Sequence, residues 1–349
     1  MFADKLIQRR HTGIEAEDIR TAVQEVFQRV KGAYSVVGTV SSHGMYAFRD
    51  PWGIKPIIYG RRETPEGTFH AVASESVVLD VAGYEVVRDL KAGEALWIDS
   101  DRNLHWMDVG DQEHRPCIFE HIYFARPDST LDDVSVYNAR AILGRKLADA
   151  WRETGREGDA VIPVPESART AAQTMAEALE IPYREGFVKN RYVGRTFIMP
   201  KDEDRRETIR HKLNPIRSEF EGKRVLIVDD SIVRGNTSRQ LVLIARQMGA
   251  EKVYLASYSP PLLHPCYYGI DMSTKREFVA QGRTIPEVAE ELGADHLVFQ
   301  TIVDMVAGVR EAGAPDREFC KACFTGDYPT KDITPEMADA IVADRIAAS

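Results

Sequence analysis

The chain has 349 residues, 44% of them apolar and 28% charged, which is enough to build more than one core and too apolar to stay disordered. A net charge of −9 gives no general attraction to nucleic acid or an anionic membrane, no run approaches the roughly 18 to 20 apolar residues that span a bilayer, and the N-terminus lacks the apolar core of a signal peptide. The expectation is a two-domain cytoplasmic protein that binds a small molecule rather than a polymer, with four cysteines too few and too dispersed for a secreted disulfide scaffold.

From Glu15 to Lys31, the residues Ile19, Val23, Val26 and Val30 recur at intervals of three and four. This spacing predicts an amphipathic helix ending at Gly32. Runs of β type follow at 33–40, 45–48, 56–59 and 69–73, punctuated by Ser-His-Gly and Pro-Glu-Gly turns as in an antiparallel sheet. The first region therefore reads as α+β. A polar run, DVGDQEHRP, lies between Asp108 and Cys117, and beyond it the grammar changes. Helices predicted at 134–151, 168–179 and 238–248 alternate with unbroken apolar strands at 160–164, 225–228, 253–256 and 296–299. That alternation predicts a doubly wound α/β domain, a parallel sheet covered on both faces. In the third helix Leu241, Ile244, Ala245 and Met248 share a face, and Gly249 stands where a C-terminal cap is wanted. After Gly308 the chain becomes a tail of turns with one short helix.

The most informative segment is KRVLIVDDSIVRGNTSRQ, 223–240. An apolar strand ends in Asp229 and Asp230, a loop of small and hydroxyl residues follows, and then a helix. Ligands bind at the carboxyl ends of parallel strands, so the acidic pair is expected in a site rather than in the core. The loop from Ser231 to Ser238 leads to a helix N-terminus, whose free N–H groups favour a phosphate, aided by Thr237 and Ser238. Gly235 lets the backbone turn closely around the anion. Two carboxylates beside a phosphate loop make sense if they face hydroxyls or a hard cation such as magnesium, and a sugar phosphate supplies both. The plainer alternative is a strand-loop-helix junction with solvated aspartates.

Upstream, AVIPVPESARTAA closes a strand at Pro165 and opens a helix near Ser167, a residue suited to the N-cap. GFVKNRYVGRTFIMP, 186–200, carries Lys189, Arg191 and Arg195 among aromatic and aliphatic residues. Such a segment is either a lid, with cations for pyrophosphate and apolar groups to exclude water, or a solvated loop. Asp50 to Gly53 reads as a turn between strands. Cys320 and Cys323 form a Cys-x-x-Cys pair open to zinc, dithiol or unrelated-thiol readings.

The string VDDSIVRG followed by a hydroxyl pair resembles the phosphoribosyl-pyrophosphate motif of type I phosphoribosyltransferases, in the form found in amidophosphoribosyltransferases. At position 236 that form expects Thr and this chain has Asn. The resemblance implies substrate contacts from Asp229, Asp230, Ser231, Arg234, Gly235, Thr237 and Ser238, and a magnesium-associated set of Ser167, Asp229 and Asp230. It makes 186–200 the family's flexible loop, with Lys189, Arg191, Tyr192, Arg195 and Ile198 closing the site. The segments CIFEHIYFARPDS, HPCYYGID and CKACFTGDYP resemble those holding a [4Fe-4S] cluster in the iron-sulfur branch, which implies Cys117, Cys266, Cys320 and Cys323 as ligands of a structural rather than electron-carrying cluster.

RDPWGIKPI and ASESVVLD resemble the family's glutaminase domain, an N-terminal-nucleophile hydrolase, with Asp50 matching its glutamine-binding aspartate. No cysteine precedes Cys117, and the start resembles a point roughly a hundred residues into the family. A fragment without the nucleophile is therefore expected, with ammonia use as the alternative and no catalytic glutaminase residue assigned. The implied division is a partial glutaminase domain at 1–112, a type I phosphoribosyltransferase domain at 113–308 and a cluster-bearing tail at 309–349. The implied reaction, the first committed step of purine synthesis, combines phosphoribosyl pyrophosphate with ammonia from glutamine to give phosphoribosylamine. Purine nucleotides are expected as feedback inhibitors, and a dimer or tetramer as the assembly. Two rivals are a phosphoribosyl-pyrophosphate-sensing regulator, which would need a nucleic-acid-binding element absent here, and an iron-sulfur electron carrier, which would need neither lid nor phosphate loop.

Overall fold

The computed structural model describes residues 6, 13–190, 213–269, 277–334 and 337. The first helix, α1, spans Ala16–Arg29 and buries Ile19, Ala22, Val23 and Val26. Glu15 and Asp18 close its start as a capping box, each side chain accepting the other's backbone N–H. The helix ends earlier than its apolar spacing predicts. Val30 is extended and donates its N–H back to the Val26 carbonyl, leaving its side chain exposed.

α1 lies on an antiparallel sheet of β1 (Ser35–Val40), β2 (Gly44–Arg49), β6 (Glu94–Asp99) and β7 (Leu104–Asp108), in that order. Phe48, Ala95, Trp97 and Met107 meet the helix, while Ala47, Leu96 and Ile98 face a second core with Ile57, Tyr59 and Leu90. A smaller antiparallel sheet, β3 (Ile58–Thr64) between β4 (Gly67–Ala73) and β5 (Glu85–Asp89), completes the region. Strand β6 is buried on both faces and so lacks the alternation that betrays a half-buried strand. Neither it nor β7 is among the runs read from the sequence.

The second region is built on four parallel strands: β10 (Ala160–Pro163), β13 (Arg224–Asp229), β14 (Lys252–Ser257) and β15 (His296–Phe299). All four coincide with the sequence expectation, because a strand covered on both faces reads as a continuous apolar run. Two short ribbons, β8–β9 (Thr130–Leu131 with Val134–Ser135) and β11–β12 (Phe187–Lys189 with Leu213–Pro215), lie outside it. Helices Val136–Arg152, Arg169–Leu179 and Ile302–Glu311 form one group, and Asn236–Gln247 with Ile285–Leu292 the other. After β10 the chain first turns outward, Val161 bridging Tyr183, and only then returns as β13 on the opposite side of β10. The strand order thus reverses between β10 and β13, the topological switch point where open α/β sheets hold ligands.

Close helix packing sets a sharp steric limit at Gly144, in helix Val136–Arg152. A Cβ there would stand 2.2 Å from the Ala171 carbonyl oxygen and 2.2 Å from Thr174 Oγ1. Alanine would gain about 1 kcal/mol in helix propensity but must push two helices apart, at about 1–3 kcal/mol. Gly144→Ala is therefore expected to be destabilising by up to about 2 kcal/mol in urea unfolding, the reverse of the usual helical Gly-to-Ala result.

The tail crosses back over the seam between the two regions. Cys320 forms an isolated β-bridge with Cys117, its N–H reaching the Pro116 carbonyl at 2.9 Å, while the Cys323 carbonyl accepts the N–H groups of Leu263 and His264. Among the described residues no helix is long and apolar enough to cross a membrane.

Candidate functional site

Strand β13 ends in Asp229, and Asp230 follows it into the crevice at the switch point. Both side chains are nearly buried. Asp230 accepts hydrogen bonds from Ser231 Oγ at 2.6 Å and from Ser167 Oγ, and Asp229 Oδ1 accepts the Asp230 N–H at 2.9 Å. Burial raises the Asp230 carboxyl above the usual range. Burial, reinforced by the neighbouring Asp230 charge, pushes Asp229 well above it. Two adjacent carboxylates in that state are poised for a cation or a set of hydroxyls.

Ser167 is not a helix cap. The following helix starts at Arg169 with Ala168 at the cap position and no side-chain cap. Its hydroxyl turns instead to Asp230 across the switch point, bringing together the ends of β10 and β13.

Beyond Ser231 the backbone turns at Gly235, φ +77°, and a Cβ there would stand 2.6 Å from Leu292 Cδ2. Glycine is thus required both for the turn and for the close approach. Helix Asn236–Gln247 starts directly after it, two residues ahead of the predicted start, and no side chain caps it. The N–H groups of Asn236, Thr237 and Ser238 therefore belong to an open first turn, the usual anion seat of such folds. Thr237 is exposed there. Ser238, in the same first turn, is buried on the inner face of the helix. Arg234 pairs with Glu277 at 3.0 Å in a half-exposed bridge, of a kind that contributes little and opens readily.

Lys189 is exposed at the end of β11. Arg191, Tyr192, Arg195 and Ile198 lie outside the described residues. Asp50 is fully buried. Its carboxylate accepts three N–H groups of its own loop, from Trp52 at 3.0 Å, Ile54 at 3.1 Å and Lys55 at 3.0 Å. It organises the turn, as the local sequence suggests.

All four cysteines are buried and free of disulfides. Cys117, Cys320 and Cys323 are raised chiefly by burial, Cys320 to about 12, and the electrostatic effects of neighbouring thiols, Cys266 included, act on all three. Three distant segments thus bring four thiols into one patch. Among the described residues no three Cys, His, Asp or Glu side chains stand as ligands of a single ion.

Several residues that the sequence reading did not single out join the regions around this patch. Arg49, wholly buried, forms a bidentate pair with Asp132 at 2.7 and 2.8 Å and also donates to the Leu90 carbonyl. Lys55 pairs with Glu120 at 3.5 Å. His121 is buried with Nδ1 unpartnered, and burial pushes its pKa down to about 4. An unfolded histidine takes up its proton near pH 6.5, whereas folded His121 resists until about 4. Its contribution is therefore fully present above pH 6.5 and is lost as pH falls through that window. Between pH 7 and 5 the loss should be about 2 kcal/mol. Denaturation of His121→Gln at both pH values should show a pH-dependent loss smaller than the parent's by that amount.

A family model described as a phosphoribosyl transferase domain matches residues 134–258. Among curated proteins, the amidophosphoribosyltransferase of Haemophilus influenzae is 46% identical over 337 residues, covering 95% of this chain and 67% of its own length. That of Escherichia coli is 46% identical over 345 residues, covering 97% and 68%, and that of Saccharomyces cerevisiae 43% over 339 residues, covering 95% and 66%. The chain spans about two thirds of the length of these relatives. Among solved structures, the glutamine phosphoribosylpyrophosphate amidotransferase of B. subtilis complexed with ADP and GMP superposes with a TM-score of 0.81 at 38% identity, covering 96% of this chain and 72% of that one.

Proposed function

This chain belongs to the amidophosphoribosyltransferase family, the enzymes that commit phosphoribosyl pyrophosphate to purine synthesis, and from that premise we propose that its strand-end crevice binds magnesium phosphoribosyl pyrophosphate and passes the sugar to ammonia. The observation that carries the reading is the meeting of Ser167, Asp229 and Asp230 at the switch point, beside the open first turn of the helix that follows Gly235.

The 5-phosphate sits against the N–H groups of Asn236 to Ser238, where the helix dipole favours negative charge. Asp229 and Asp230 accept the ribose hydroxyls and, with Ser167, supply hard oxygen ligands that suit magnesium. When bound, the magnesium ion neutralises the pyrophosphate as it departs. Ammonia attacks the anomeric carbon while the carbon–oxygen bond to pyrophosphate breaks. Little acid-base work falls to the protein, so orientation and exclusion of competing water dominate. Lys189, Arg191, Tyr192, Arg195 and Ile198 are assigned to the closing wall by family resemblance, with Arg234 released from Glu277 as a further cation.

The division at 1–112, 113–308 and 309–349 belongs to the same reading, as do purine-nucleotide feedback and assembly as a dimer or tetramer. The nucleotides in the B. subtilis relative support the feedback. Cys117, Cys266, Cys320 and Cys323 are assigned to a [4Fe-4S] cluster. In such a cluster each thiolate takes a different iron, so an arrangement unsuited to a single ion is compatible with it. The donor set fits: four buried thiols, gathered from three segments, without a disulfide.

The test is pyrophosphate release, measured separately with ammonium and with glutamine. Magnesium-dependent release with ammonium is expected. Binding of phosphoribosyl pyrophosphate without any release would point instead to a sensor.

A further inference from the structure

The crevice is tied to the cysteine patch by one buried phenol. Tyr258 follows β14 and is wholly buried. Its hydroxyl donates to the Ile122 carbonyl at 2.8 Å and lies 3.2 Å from the Ser167 carbonyl. Its N–H donates to the Asp229 carbonyl at 3.2 Å, and the next N–H, of Ser259, to the Asp230 carbonyl at 3.1 Å. One residue therefore touches the backbone of two of the three crevice residues, Ser167 and Asp229.

Ile122 lies in a single π-helical turn, Glu120–Phe124, a rare element that recurs at functional sites. That turn begins just past Cys117, whose carbonyl accepts the Glu120 N–H at 3.3 Å. Arg140, also buried, grips the same turn from the other side, donating to the His121 carbonyl at 3.0 Å and the Ala125 carbonyl at 2.8 Å. The single phenol proton is thus shared between the turn, at the Ile122 carbonyl, and the crevice, at the Ser167 carbonyl.

We infer that Tyr258 is a positioning residue that sets the Ser167 hydroxyl on Asp230 and couples the Cys117 segment to the substrate crevice. The inference rests on the substrate site proposed above. Phenylalanine keeps the ring and removes only the tie. Tyr258→Phe should weaken binding of phosphoribosyl pyrophosphate in the presence of magnesium about tenfold, the scale of one lost buried hydrogen bond. The tie reaches the substrate only through the placing of Ser167, so KM should rise by a larger factor than kcat falls.

Titration calorimetry on the full chain should be run with Tyr258→Phe, Asp230→Asn and Tyr59→Phe. The last removes a phenol hydroxyl bonded to His70 in the smaller antiparallel sheet, outside the crevice residues, and should bind like the parent. In the parent protein, hydrogen exchange in 118–124 should slow when magnesium phosphoribosyl pyrophosphate binds, a readout that does not require the variant to fold. Parental affinity in Tyr258→Phe alongside lost binding in Asp230→Asn, or exchange in 118–124 indifferent to ligand, would reduce Tyr258 to a core residue. Parental binding in Asp230→Asn would instead overturn the site itself, and the inference with it.

Discussion

Asp230→Asn is expected to lower ammonium-dependent pyrophosphate release by on the order of a hundredfold or more while leaving the protein as stable as the parent or more so. The two halves of this expectation have one cause. Burial raises both carboxyls, and the Asp230 charge raises Asp229 further, so the native state carries an electrostatic cost at neutral pH that the unfolded chain does not. Asparagine has nearly the same shape and no charge, and its carbonyl can still accept from Ser167 or Ser231. What it cannot do is oppose a magnesium-bound pyrophosphate or accept as strongly from ribose hydroxyls. A residue kept at a cost to stability and needed for turnover is the expected mark of a functional site. Activity within about threefold of the parent would sink the assignment, and a large fall in melting temperature would make Asp230 a structural residue instead.

The parallel sheet was legible because its strands are covered on both faces. Val225 to Val228 can only be a buried strand once Asp229 and Asp230 end it, and the resulting β13 agrees to within a residue. The same rule hid β6, whose EALWID run mixes a buried glutamate with a tryptophan and so matches neither alternation nor an unbroken apolar stretch. Helix starts were shifted where hydroxyl residues could serve either loop or cap: Ser238 lies inside its helix and Ser167 outside the one it was expected to begin. Local sequence cannot decide such cases, because the deciding partner of Ser167 is Asp230, 63 residues away. Asp50 shows the opposite balance. Its neighbours within five residues supply all three side-chain hydrogen bonds, so the turn is legible from the local sequence, while the glutamine-binding role rests on the family resemblance alone. Arg140 and Arg49 were invisible for the same reason as Ser167. Periodicity reports which face of an element is buried, not which distant carbonyl or carboxylate will satisfy a charge on that face.

The cysteine patch carries the other large expected effect. Without metal, burial and their neighbours hold Cys117, Cys320 and Cys323 protonated at neutral pH, and protonated thiols are poor nucleophiles and poor ligands. Binding a cluster requires thiolates, so anaerobic reconstitution with iron and sulfide should release protons and become steeply less favourable as pH falls. Structural metal sites can supply on the order of 10 kcal/mol of folding free energy, and here that energy would add to the backbone hydrogen bonds and shared apolar core that join the Pro116–Ile118 segment, the loop through Leu263 and His264, and the tail around Cys320. Cys323→Ser is therefore expected to lose bound iron and its visible charge-transfer absorbance, and to unfold several kcal/mol more easily than the reconstituted parent. Loss of iron with the crevice left intact would separate the two halves of the molecule. Loss of iron together with weakened phosphoribosyl-pyrophosphate binding is the expected result, because the turn after Cys117 carries the carbonyl that Tyr258 holds. A parent protein that binds no iron under reducing, anaerobic conditions, and a Cys323→Ser variant equal to it in stability, would leave the four thiols as ordinary core residues.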